Sequence, residues 1–516
     1  MDKEVSIIRL IIGWVCLIWY LVILIVAYSG FVEILIKFRK RSIIKSKQVV
    51  KDDNLEGVTI LRPIKGIDPE LKSCLESSFC QNYPRDKIQI LFCIEDPNDL
   101  SIPIIESLIN KYPTIDSKIL IGGEHYGPNP KVNNLSKGIL QAKYDILWIM
   151  DSNVWASSNI LKNSIITLNE NLNNGRDLSN KRPVKLVHHV PLALSIEYNE
   201  ELQDLENNLT PIQSNESRIK LTNRKNRNPS NKHKECDIKQ QPFLKKIGSK
   251  LDEMFLHTSH SKFYVSLNNL AIAPCVNGKS NLYRKSELDK SVKEIPTNSK
   301  SEFFTDLKVK NDAKYYSNLG VGNSMKFFSR YIGEDNMIGI ALWENCNGRT
   351  GLTGDCVIQP LSGLDNNTLK DYINRRVRWL RVRKYMVLLA TLIEPTTESI
   401  ICGLYGNIGI SILFLHKLFT IKLFVFHMIL WVITDFIQYN VLINHTIDED
   451  NMIFLPIWLK SVNQVNSGTR LLRWLIIWII REILALPIWL IAMFGHKIDW
   501  RGTPFKIKKD LTAEEL

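Results

Sequence analysis

Apolar and polar positions alternate on three different scales along this chain. Leu10 to Val32 reads LIIGWVCLIWYLVILIVAYSGFV, without a charge. About 23 residues at 1.5 Å rise span roughly 34 Å, so the stretch predicts a membrane-spanning helix. It is too long for the apolar core of a cleaved signal peptide. KFRKRSIIKSK (37–47) comes directly after it, whereas MDKEVSIIR before it is nearly balanced. The positive-inside rule then places the chain after Lys37 in the cytosol. Further apolar stretches run Ile400–Leu415, Leu423–Leu442 (holding Asp435) and Trp474–Phe494. The first two predict a hairpin around His416–Lys422. The third is interrupted by Arg481, Glu482 and Pro487. It reads as a span with an internal ion pair, or as a re-entrant or interfacial piece, because charges at membrane depth must face protein or water. Tyr385–Leu392 reads as an interfacial helix leading into the membrane.

Residues 50–395 show a shorter period. VTILRPI (58–64), IQILFCI (88–94), KILIGG (118–123), YDILWIMD (144–151) and VKLVHHV (184–190) are strand-like apolar runs. Helical patterns such as PELKSCLESSFCQ and IPIIESLINKY separate several of them. This alternation predicts an α/β domain with a mainly parallel sheet. Ligands of such sheets bind beyond the carboxyl ends of the strands. Two polar insertions interrupt the pattern, at 197–250 and 289–326. The first is rich in Asn, Lys and Gln and reads as disordered or loosely held. The chain thus divides into an anchor (1–36), a cytosolic domain (50–395), a membrane region (396–496) and a tail (497–516).

Composition adds an anionic partner. The formal charge is +13, which suits nucleic acid, anionic lipid or a phosphorylated substrate. The basic run NRKNRNPSNKHK (223–234) reads as a solvated loop, and no nucleic-acid partner is expected. Nine cysteines are scattered without metal-like spacing and read as reduced thiols.

Acidic residues end or come just after the apolar runs: Glu95-Asp96, Asp151-Ser152-Asn153 and, in RYIGEDNMIG, Glu334-Asp335. Any one such residue reads equally well as a helix cap. YINRRVRWLRVRKY (372–385) packs five arginines and one lysine between Arg375 and Lys384. Together they suit sugar transfer from a nucleotide donor. A divalent metal on carboxylates helps neutralise a diphosphate. A carboxylate base takes the acceptor's proton. Cationic groups receive the departing diphosphate. On a helix, Arg375, Arg378 and Trp379 share one face.

At these residues the chain resembles the ceramide glucosyltransferases, within the membrane-bound GT-A glycosyltransferases. That class carries three aspartates followed by (Q/R)xxRW, here Asp96, Asp151, Asp335 and Arg375-Arg376-Val377-Arg378-Trp379. LRPIKGIDPELKSCLESSFCQNYP, IGGEHYGPNPKVNNL, LVHHVP, HTSHSKFYVSLN, CVNGKSNLYRK and the WRG of IDWRGTPFKI resemble the family's blocks in the same order. The resemblance implies a Rossmann-like GT-A domain with a mixed sheet, held by transmembrane helices at both ends. It implies inverting transfer of glucose from UDP-glucose to the primary hydroxyl of ceramide. Asp96 would contact uridine, Asp151 would hold Mg2+ or Mn2+, and Asp335 would be the base. Arg375, Arg378 and Trp379 would hold the diphosphate and shape the acceptor end, while Lys131 and His260 would lie at the donor. Lys131 reads nearly as well as a surface lysine, and His260 as a structural histidine. Arg381, Arg383 and Lys384 would form a basic collar at the bilayer. The implied setting is a Golgi or ER membrane, with a homo-oligomer left open. Family members usually read Asp-Ser-Gly at the second aspartate, and Asn153 departs from that. Rival readings are a processive polysaccharide synthase, a polyprenyl-phosphate glycosyltransferase, or a non-catalytic membrane scaffold.

Overall fold

The computed structural model describes residues 7–39, 55–169, 182–196, 247–299, 301–362, 367–446, 455–460, 467–495, 497–500, 503–508 and 513–515. Most of the first expected insertion (197–246), its basic run, Cys236 and the Arg501-Gly502 of the tail lie outside them.

The apolar runs become the strands β1 (Val58–Ile64), β2 (Ile88–Ile94), β3 (Asp116–Ile121), β4 (Ile146–Met150) and, beyond the short β5 (Trp155–Ala156), β6 (Val184–Ile196). Every residue of β2 and β4 is buried, as strands covered by helices on both faces require. β7 (Ser280–Arg284) and β8 (Arg349–Ser362) complete a sheet of order β3-β2-β1-β4-β7-β6-β8-β5. β1 to β4 run parallel, β7 is antiparallel to both its neighbours, and β8 pairs parallel with β6. This is a mixed Rossmann-like sheet, as the resemblance to the GT-A glycosyltransferases implies. Residues 289–326, expected as a second polar insertion, are folded where the structure describes them. They fold into the ends of the helices Lys285–Lys293 and Asn323–Arg330 and the whole of Leu307–Asn318. Val292, Ile295, Phe304, Val309, Ala313 and Met325 are buried there against the sheet's helices. Their apolar positions are widely spaced among lysines, which hides them from a run-based reading.

Among the described residues three helices are long and apolar enough to cross a membrane: Ile7–Lys37, Ile421–Thr446 and Leu471–Met493 within Ser467–Met493. A fourth crossing is available if Leu388–Thr397 and Ser399–Leu415, bent by 78°, act as one. The hairpin is present, its first helix closing on His416 in a left-handed conformation. The last helix runs through Pro487 without a break, so it is long and apolar enough to span. Its Arg481 is buried and paired with Glu482 and, at 2.9 Å, with Glu398. Asp435 is likewise buried, taking Lys262 and the Trp478 indole at 2.8 Å. Lys262 belongs to a broken helix of the α/β domain, Ile247–Phe255 and Ser261–Leu270 joined by a π turn at Leu256–His260. The domain therefore sends one helix into the apolar bundle and seals its charge there.

Candidate active site

The site forms where β1, β2 and β4 end. Asp96 comes after β2 and Asp151 after β4, with β1 between them. Two strand spacings put their backbones roughly 10 Å apart along one sheet edge. Asp96 is exposed and accepts the Asn98 backbone N–H at 2.9 Å. The helix Pro130–Gln141 organises this edge. Asn129 caps it, accepting from the N–H of Lys131 and Val132, and its amide donates to Glu334 at 2.8 Å and the Tyr331 carbonyl at 2.7 Å. Asn134 donates to the last carbonyls of the apolar strands, at Ile64 and Cys93. Much of the NPKVNNL block therefore works by pinning strand ends.

Lys131 is the centre of the cluster. Its ammonium meets Asp151 Oδ1 at 2.9 Å, Glu334 Oε1 at 3.1 Å and the Gly278 carbonyl at 2.9 Å. Burial opposes its charge, but Asp151, Glu334 and Asp335 hold it firmly protonated. On the other side of Asp151, Lys279 reaches Oδ2 at 3.1 Å and the Asn153 amide oxygen at 3.2 Å. Against the cost of burial, these two lysines hold the Asp151 carboxyl well below the usual carboxylate range.

Asp335 lies in the first turn of the helix Glu334–Asn345. Burial, reinforced by the Glu334 carboxylate and partly offset by Lys131, pushes its carboxyl up to about 7. That value suits a general base near neutral pH. A Cβ on Gly278 would stand 3.2 Å from Asp335 Oδ2 and 3.4 Å from Lys131 Nζ, so glycine leaves the two groups in open view of each other.

The arginine helix spans Leu369–Met386, opened by a Thr368/Asp371 capping box. Its Val382 and Met386 pack at the position a Gly333 side chain would take, beside Asp335. Arg378 and Trp379, one turn earlier, fall on that same face. Trp379 faces Phe255 at 6.5 Å between ring centroids. Arg375 is instead committed to Asp252, with Asn367 Oδ1 at 2.6 Å. Arg376 lies over the Phe255 ring at 3.5 Å and pairs with Glu394. The expected collar is also differently employed. Arg381 donates to the Ile491 carbonyl at 3.2 Å and Lys384 to the Met493 carbonyl at 2.7 Å. They thus cap the carboxyl end of the last long apolar helix. Arg383 pairs with Glu394 at 2.8 Å.

His260 is not at the lysine cluster. It stacks on Tyr264 at 5.1 Å, and its Nδ1 has no hydrogen-bond partner among the described residues. Burial, then Arg376 and Arg383, push it down to about 3, so it is neutral at physiological pH. The reading from sequence missed Lys279 and Asn129 as members of the site. Lys279 had no signal beyond its place in CVNGKSN, and Asn129 none beyond its place in IGGEHYGPNPKVNNL.

A divalent ion needs carboxylate oxygens to spare. Both oxygens of Asp151 are taken by ammonium groups, Asn153 offers an amide, and Asp68 is engaged by Ser152 at 2.5 Å. Among the described residues no three His, Cys, Asp or Glu side chains converge on a metal position. The donor set as arranged does not fit a divalent ion held by the protein.

The sequence profile of Glycosyl transferase family 21 matches residues 20–174 and 321–513. A ceramide glucosyltransferase of Candida albicans is 61% identical over 544 residues, covering 100% of both chains. The chain belongs to the ceramide glucosyltransferase family. A Komagataella phaffii ceramide glucosyltransferase is 46% identical, over 97% of this chain and 91% of its own. One from Gibberella zeae is 34% identical, over 90% and 86%. Among solved structures, a Pyrobaculum calidifontis mannosyltransferase in complex with GDP-Man and Mn2+ matches with a TM-score of 0.33 at 11% identity, over 92% of this chain and 97% of that one. S. aureus TarS 1-349 with UDP-GlcNAc gives 0.30 at 12%, over 87% and 96%. Scores this low carry no argument, and the fold is read from the sheet itself.

Proposed function

We propose that this chain transfers glucose from UDP-glucose to the primary hydroxyl of ceramide with inversion, releasing β-glucosylceramide and UDP. The observation that carries the mechanism is the half-buried Asp335 carboxyl, tuned to about 7, set between Lys131 and the arginine helix. Membership of the ceramide glucosyltransferase family supplies the acceptor. In this reading Asp335 takes the hydroxyl proton as the oxygen attacks the anomeric carbon, and the bond to UDP breaks on the opposite face. One base and one attacking hydroxyl suffice, so no sugar–enzyme bond forms. Asp96, exposed on the sheet edge, contacts the uridine. Arg378 serves the diphosphate and Trp379 the acceptor end. A divalent ion such as Mg2+ or Mn2+ would have to displace two ammonium groups from Asp151, and no step is assigned to it.

The spanning helices hold the α/β domain on the cytosolic face of a Golgi or ER membrane, where a cytosolic donor meets a bilayer acceptor. The test uses full-length protein in nanodiscs containing ceramide. It is offered UDP-glucose, UDP-galactose, UDP-N-acetylglucosamine and GDP-mannose in turn. β-Glucosylceramide from UDP-glucose is expected, at a rate well above the other donors. Preference for another donor, or no glycosylceramide from folded protein, would overturn the proposal.

A further inference from the structure

We propose that Lys279 is a further catalytic residue, whose ammonium binds the diphosphate of the nucleotide donor and stabilises it as it leaves. Asp151 holds that ammonium in place, and Lys131 is the fixed post behind it. The inference rests on the nucleoside-diphosphate donor proposed above.

Donor counting separates the two lysines. An ammonium has three N–H groups. Lys131 spends all three, on Asp151, Glu334 and the Gly278 carbonyl. Lys279 spends two, on Asp151 and Asn153, leaving one N–H without an acceptor among the described residues. Lys279 is also half-buried rather than sealed. It stands at the carboxyl edge of the parallel strands, where an α/β sheet receives a nucleotide.

Three arginines of the arginine helix are committed elsewhere. Arg375 serves Asp252 and Asn367, and Arg376 and Arg383 serve Glu394. A leaving diphosphate develops charge on its terminal oxygens, and fixed cations in a partly desolvated site stabilise that charge. Glu334 shares Lys131 with Asp151, so the two ammonium groups are balanced, and what meets an incoming phosphate is the remaining N–H of Lys279. The arrangement supplies from side chains the charge that a metal on Asp151 would otherwise bring.

Titration calorimetry on full-length protein in nanodiscs, with EDTA, tests this using UDP, GDP and uridine. Wild-type protein should bind UDP in EDTA. Lys279→Gln should weaken UDP by about 10- to 100-fold, the size of a lost hydrogen bond to a charged group, and lower kcat/KM. Uridine binding should not move, and Lys279→Arg should recover most of the UDP affinity. Unchanged UDP affinity in Lys279→Gln would overturn the proposal. So would wild-type UDP binding that disappears in EDTA and returns with Mn2+. Lys279-dependent UDP binding in a protein that makes no glucosylceramide would uphold the lysine and overturn the acceptor. Tighter GDP than UDP binding, still dependent on Lys279, would uphold the lysine and overturn the uridine donor.

Discussion

Asp335 sits half-buried beside Glu334 with its carboxyl near 7, so activity and stability should both move with pH, in opposite senses. As a base it must be ionised, and kcat/KM should climb as pH rises through about 7. Asp335→Asn should abolish turnover and keep UDP binding, a split that calorimetry and product assay check together. Its folded pKa lies above the unfolded value of 3.8. Between those values the native state binds more protons than the unfolded one, so native stability declines as pH rises from about 4 to 7. Asp335→Asn removes that decline. The variant should match the wild type in melting temperature near pH 4 and exceed it at pH 8; a lower melting point at pH 8 would contradict the assignment. Gly278 offers a second probe. Gly278→Ala places a methyl 3.2 Å from Asp335 Oδ2, and kcat should fall more than donor affinity. The three aspartates were legible because each stands at or just beyond a recognisable pattern. Lys279 was not, because its role comes from a loop that folds back beside Asp151 from more than a hundred residues away.

Among the elements, helix contacts in the bundle depend on small residues. Gly409 of Ser399–Leu415 meets the Leu17 backbone nitrogen and the Gly13 carbonyl of the N-terminal helix, 2.7 and 3.0 Å from where its Cβ would be. Such close backbone approach is how helices gain contact in lipid, where no hydrophobic drive joins them. Gly409→Leu has no flexible neighbour to displace. It should lower the melting temperature in detergent, whereas Gly66→Ala, with nothing within 4 Å but a φ of 72°, should act only through local strain. The spanning helices were visible as apolar runs, and the strands β1 to β4 and β6 likewise. β7 reads SNLYR and β8 RTGLTGDCVIQPLS, both too polar to register as buried strands, so they emerged only from pairing. Residues 289–326 read from their polarity as an insertion, and only some of their apolar side chains, Val292, Ile295, Phe304, Val309, Ala313 and Met325 among them, are buried. The basic stretch 375–384 was legible as important but not in its division of labour. Arg381 and Lys384 find backbone carbonyls on a helix about a hundred residues downstream, and no local pattern announces that.

At the scale of the whole molecule, the α/β domain and the membrane bundle are one unit, joined by the helix that carries Lys262 to Asp435 and by the arginine helix that caps the last span. A buried ion pair broken on one side leaves an unpaired charge, at a cost of about 3–5 kcal/mol. Asp435→Ala should therefore destabilise the whole protein, and Asp435→Ala combined with Lys262→Met should recover much of the loss. The readout is the melting temperature of single and double variants. Recovery absent in the double variant would mean the two parts are not coupled through this pair.

The strand pair Lys497–Trp500 and Thr503–Ile507 places Ile498 and Phe505 against Ile332, Val382 and Tyr385. Ile332 lies three residues before Asp335, so the segment carrying the base is braced by residues that leave the ribosome long after it. A chain halted by a premature stop ahead of Ile498 would already have its helices in the bilayer and its parallel strands folded. It would accumulate at the membrane as an anchored protein able to take up donor and slow to turn it over. Nonsense alleles near this end should for that reason yield poorly active protein that still reaches the membrane, rather than no protein at all.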